Sequence, residues 1–165
     1  YPFVAKRLGL KKTFMVGLLI GILNFSNFPL TNFIPFTDPS APEGGTITMW
    51  IILSTLIFIR AIGSQLSFSS IMTMISNSVP PDGMGSVNGM GQSLVAFSRA
   101  IAPISGASLL GWLFDAKLPF PMNHYFAFFL LALLCLANLL YAIRLPPELN
   151  EPKDPNYNAV IAHAE

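Results

Sequence analysis

Two arginines, Arg60 and Arg99, each stand in the middle of a long stretch that holds no other charge. Inside a bilayer such a charge costs about 3 kcal/mol on the insertion scale, so each guanidinium needs a polar setting. At about 100° per residue along a helix, Ser64 and Ser67 fall within about 40° of Arg60, and Asn88 and Gln92 within a similar sector of Arg99. Each arginine tops a polar stripe. Two such stripes can line a water-filled path and contact an anionic or polar solute. In the structural alternative, each guanidinium bonds backbone carbonyls or a carboxylate of another helix and only holds a bundle together. No Asp or Glu lies in any apolar segment, so a proton-carrying carboxylate, or an acidic partner for the arginines, is expected elsewhere in the protein.

The remaining polar residues point first to helix packing. Asn88, Gly89, Gly91, Gln92 and Ser93 combine small residues, which let helices approach, with amides that bond across the contact. Gln92 is weighted toward packing over solute contact for that reason. Pro103 with Gly106 predicts a kink, useful to a moving gate and equally common in static membrane helices. Gly17 and Gly21, four residues apart, predict another close approach. Asn24, Phe25 and Ser26 match a glycosylation sequon, but inside an apolar span it is inaccessible. His124 and His163 have no metal-ligand neighbours, and Cys135 and Asn138 read as filler and a helix contact. No nucleophile with its His and Asp, no phosphate loop and no paired carboxylates occur, so neither an enzyme nor a metal or other cofactor is expected.

The elements that must position these residues follow from composition. Of 165 residues, 53% are hydrophobic and 10% charged, against about 25% charged in a soluble domain. Two runs, Thr13 to Thr37 and Leu118 to Ile143, contain no charge, and both exceed the ~20 residues that span a bilayer. The net charge of +1, with no basic cluster beyond Lys6, Arg7, Lys11 and Lys12, excludes a nucleic-acid partner. The pattern predicts an all-α, multi-pass integral membrane protein with spans at 13–35, 46–78, 86–114 and 125–143. Residues 1–12 are expected as a cytoplasmic loop and 144–165 as a disordered cytoplasmic tail. The connections 35–45, 80–86 and 115–124 hold the helix breakers. Lys6, Arg7, Lys11, Lys12, Arg144 and Lys153 fall on one side of these spans and only Lys117 on the other, which assigns both ends to the cytoplasm. The chain opens without a methionine or signal pattern, and is expected to be a piece of a longer protein.

Two segments carry a family resemblance. Phe3 to Phe14, with Lys6, Arg7, Gly9, Lys11 and Lys12, resembles the cytoplasmic loop motif of the major facilitator superfamily in its copy between the eighth and ninth helices; Ala5 stands where the motif has Asp. Asn77 to Leu113 is more distinctive. Pro80, Pro81, Gly85, Asn88, Gly89, Gln92, Arg99 and Pro103 follow in the order of the tenth-to-eleventh-helix region of the drug and metabolite antiporter branch, similar to zinc-induced facilitator-like proteins, with Ala102 replacing a Gly. The resemblance implies that the four spans are helices nine to twelve of a twelve-helix transporter, part of its C-terminal six-helix bundle. It implies alternating access around a central cavity. It also implies Arg60, Ser64 and Ser67 as solute contacts, and Asn88, Gly89, Gln92, Arg99 and Pro103 as packing and gating residues. The implied partners are a small-molecule solute, protons as coupling ion, the lipid bilayer and the missing N-terminal helices of the same protein. A self-contained four-span scaffold or accessory subunit without transport, and a facilitative uniporter of the same fold, are the alternatives. Substrate identity, and a plasma or vacuolar membrane, are left open.

Overall fold

A computed structural model describes residues 2–29, 46–117, 119, 122–123 and 125–151. Five helices follow in order: α1 (Pro2–Leu8), α2 (Leu10–Asn27), α3 (Ile47–Asn77), α4 (Met84–Ala116) and α5 (Phe126–Ile143). Short 3-10 turns occupy Pro81–Gly83 and Pro147–Asn150, and no strand occurs among the described residues. Helix satisfies the backbone within each apolar run, one of the two ways, with the closed barrel, in which a chain crosses a bilayer. Among the described residues three stretches, 47–77, 81–116 and 126–143, are long and apolar enough to cross a membrane; α1 and α2 qualify only as a bent pair. The 31 residues of α3 extend about 46 Å at ~1.5 Å per residue, beyond the ~30 Å hydrocarbon core, so α3 tilts or projects.

Local chemistry sets the boundaries. Thr46 caps α3, its Oγ1 accepting from the Met49 N–H at 3.3 Å. Pro80 and Pro81 cannot continue α3, and Pro81 opens the following 3-10 turn instead. α4 runs on through Pro103, which has no N–H to offer the Arg99 carbonyl. The basic segment 1–12, expected as a loop, is helical on both sides of Gly9. Pro2, with its pre-set φ, starts α1, and Gly9 at φ 81° turns the chain by 114° into α2. The end of the expected first span at 30–35, the connection 35–45, His124 and the tail from 152 onward, with Lys153 and His163, lie outside the described residues.

α2 is the hub, packing on both α3 and α5. At its crossing with α3, Gly17 faces Gly63, and at its contact with α5, Gly21 faces the Cys135 sulfur. Asn24, almost wholly buried, donates from Nδ2 to the Leu56 carbonyl of α3 at 2.8 Å. Phe28 and Phe128 stack with ring centroids 4.7 Å apart, joining the far end of α2 to the start of α5. α4 stands at the edge: of its residues only Leu113 is buried.

At the other end of α2, Lys11 ties the bundle. Its Nζ donates to the carbonyls of Ile143 (2.9 Å) and Leu145, and its backbone N–H to Asn150 Oδ1 at 3.0 Å. Asn77, the last residue of α3, donates from Nδ2 to the Leu149 carbonyl at 3.0 Å. The Lys11 cation, on the last carbonyl of α5 and one just beyond it, meets both unfilled lone pairs and the negative end of the helix dipole. Lys11→Ala is therefore expected to cost about 1–2 kcal/mol, read as a lower Tm in detergent. The exposed neighbour gives the comparison, and an equal loss in Lys12→Ala would dismiss the tie.

Candidate functional site

Arg60, Ser64 and Ser67 recur at i, i+4 and i+7 on α3, and the fold gives that face a wall. Gly17, Leu18, Gly21 and Phe25 of α2 and Cys135 of α5 stand opposite, around a cavity of about 360 Å³. Gly17 lets α2 and α3 meet closely at one edge of this cavity, and Gly21 faces the Cys135 sulfur across it. A second cavity, about 320 Å³, lies toward the C-terminal end of α2 between Asn24, Phe28, Ile57 and Ala61, and Arg60 and Ser64 line both. Arg60 thus sits between two hollows.

The guanidinium carbon of Arg60 lies 4.5 Å from the centroid of the Phe25 ring. A cation over an aromatic face gains about 0.5–2 kcal/mol, the larger figure when desolvated. Among the described residues Arg60 has neither a carboxylate nor a backbone carbonyl as partner, the two structural roles weighed from the sequence. Both serine hydroxyls are engaged as donors: Ser64 Oγ donates to the Ala61 carbonyl of its own helix at 3.1 Å and Ser67 Oγ to the Phe14 carbonyl of α2 at 3.4 Å. Their hydroxyl oxygens retain lone pairs, so toward a ligand in this geometry they accept while Arg60 donates.

The second stripe is split. Asn88 and Gln92 border a separate groove of about 390 Å³ with Met72, Thr73 and Ser76 of α3, where Ser76 Oγ donates to Asn88 Oδ1 at 2.8 Å. Arg99, two turns beyond Gln92, leaves that group, and its guanidinium carbon lies 5.4 Å from the centroid of Phe68, a ring that also borders the Arg60 cavity. Close approach of α4 to α3 falls at Gly91, whose Cβ position is 3.6 Å from Met72, whereas Gly89 and Gly106 face open space and Pro103 is exposed. In the basic segment, Gly9 makes the bend and Lys11 the tie to α5. Lys6 and Arg7 close α1, Arg7 lying 4.5 Å over Phe3, and Lys12 borders an apolar groove with Leu8, Met15 and Leu139.

Sequence spacing did not single out the two phenylalanines that carry the arginines, nor Gly63. The signal for Gly63 was present, since it lies three residues after Arg60 and four before Ser67 on the side of α3 that meets α2. No group of three His, Cys, Asp or Glu able to hold a metal occurs among the described residues.

An apolar helical bundle with single arginines placed midway along its membrane-length helices is a form that a solute carrier takes. Residues 2–161 match the family model of the Major Facilitator Superfamily. No curated protein and no solved structure matches the chain. The match spans nearly the whole sequence, and the chain belongs to the Major Facilitator Superfamily, whose members are multi-pass membrane proteins that carry solutes across the bilayer.

Proposed function

We propose that the chain is the C-terminal portion of a proton-coupled secondary transporter of small molecules working by alternating access, with the solute contacting Arg60, Ser64 and Ser67. The observation that carries this is Arg60 itself. It is a permanent cation within a membrane-length helix, lining two cavities and engaged by one aromatic ring. Membrane arginines face a cavity or a partner because exposure to hydrocarbon is costly. Further helices of the same protein, N-terminal to this chain, supply the cavity's other wall and the coupling carboxylate. The exposed length of α4, with Leu113 alone buried, supports a seat for them. Pro103 and Arg99 on α4 serve gating, and the basic end with Lys6, Arg7, Lys11 and Lys12 faces the cytoplasm. The order of residues from Pro80 to Pro103 favours the drug and metabolite antiporter branch, near the zinc-induced facilitator-like proteins.

The test is flux in proteoliposomes holding the protein expressed from its complete reading frame. Benzenesulfonate, glucose and ethidium serve as anionic, neutral and cationic probes, with a pH gradient present and after its collapse by nigericin. Saturable flux of at least one probe is expected, falling when the gradient is removed. Flux that survives collapse unchanged contradicts proton coupling and indicates a uniporter. No saturable flux of any probe favours a membrane scaffold.

A further inference from the structure

We infer that the Arg60 cavity takes a small aromatic anion, a proposal that rests on reading this cavity as the solute path. The Arg60 guanidinium carbon lies 4.5 Å over the Phe25 ring, and contact with an aromatic face leaves the guanidinium N–H donors able to bond elsewhere. Those donors form a fork that matches two oxygens of a carboxylate, sulfonate or phosphonate. Among the described residues no acidic side chain lines either cavity that Arg60 borders, so none of them competes for the fork or attracts a cationic solute.

The rest of the lining suits a flat apolar body. Phe14, Phe25, Phe68, Leu18 and Ile71 make the wall largely hydrocarbon, and the rings offer faces to stack on. At about 360 Å³ the space is near the lower end of ligand pockets and fits one ring with its anionic group. Because the Ser64 hydroxyl donates to the Ala61 carbonyl of its own helix and the Ser67 hydroxyl to the Phe14 carbonyl of α2, Arg60 is the donor available to the anion. A neutral polar solute gains little from this set, and a cation is repelled.

Cys135 makes the proposal testable in place. It lines the same cavity, is partly exposed, and is the only cysteine in the 165 residues. Methanethiosulfonate reagents modify a thiolate by forming a mixed disulfide as the S–S bond of the thiosulfonate breaks and methanesulfinate leaves. In vesicles holding the protein expressed from its complete reading frame, labelling is measured with the anionic sulfonatoethyl and the cationic trimethylammonioethyl reagent. Each rate is divided by that reagent's rate with free mercaptoethanol, and Cys135→Ala supplies the blank. The anionic reagent is expected to react roughly tenfold faster, and Arg60→Gln to erase the preference. Benzenesulfonate is expected to slow labelling, while benzenesulfonamide and phenyltrimethylammonium do not. Arg60→Lys, keeping the charge but losing the fork, should keep the reagent preference and weaken the protection. Labelling that is equal for the two reagents, or that benzenesulfonate leaves unprotected, overturns the anion assignment and leaves the cavity open to another solute class. Labelling by neither reagent shows a cavity closed to water and overturns the solute path with it.

Discussion

Gly17→Leu is expected to lower the Tm of the protein in detergent by about 10 °C and to reduce the fraction that folds after insertion. A Cβ at position 17 would collide with Ser67 Oγ, and would lie 2.5 Å from the Gly63 carbonyl oxygen and 2.8 Å from the Ser67 backbone nitrogen. Backbone atoms cannot rotate aside as a side-chain tip can, so α2 and α3 must separate. The contact is tight in both directions, since a Cβ on Gly63 would come within 2.6 Å of Ile20 Cγ2. Overpacking of this kind costs about 1–3 kcal/mol and more where backbone is hit. Lipid offers little compensation, because between membrane helices close packing itself drives association. The exposed neighbour Val16 should accept leucine with no comparable loss. An unchanged Tm in Gly17→Leu would mean that the helices cross more loosely than Gly17 and Gly63 imply.

Arg60→Ala should have the second large effect, on transport and not on assembly. A hydrogen bond to a charged group contributes about 1.5–3 kcal/mol, so losing the fork should lower the solute rate roughly 10- to 100-fold. Membrane insertion should not suffer, because removing a charge from the middle of α3 makes the span more apolar. Arg60→Lys should fall between, a point charge in place of a planar fork. This order of rates, with equal insertion, distinguishes solute contact from bundle support. A guanidinium that only braced helices would lower Tm and the amount of folded protein together with flux.

The all-helical, multi-pass character was legible in the sequence because uncharged runs of that length have few alternatives in a bilayer. The stripes were legible for the same reason: helical period sets the azimuth of each side chain about its own axis. Which neighbour meets that azimuth is not a local property. The Arg60 stripe meets α2 and α5 around a hollow that Gly17 and Gly21 border, while the Arg99 stripe divides between an amide groove and the Phe68 ring. The helix inside the basic segment also escaped a reading based on charge. Lys6 and Arg7 marked the segment as polar, whereas Pro2 and Gly9 shaped it as a short helix with a sharp bend. Lys11 counted toward membrane orientation, and its bonds to the end of α5 became visible only with the packing.

The most direct measurement is the initial uptake rate per inserted molecule in proteoliposomes for wild type, Arg60→Lys and Arg60→Ala. The probe is whichever of benzenesulfonate, glucose and ethidium the wild type carries, and insertion is quantified in the same vesicles. A descending order of rates, with Arg60→Ala down roughly 10- to 100-fold at equal insertion, is the predicted result. Wild-type rates in Arg60→Ala would contradict the account and leave Arg60 as a structural residue stacked on Phe25.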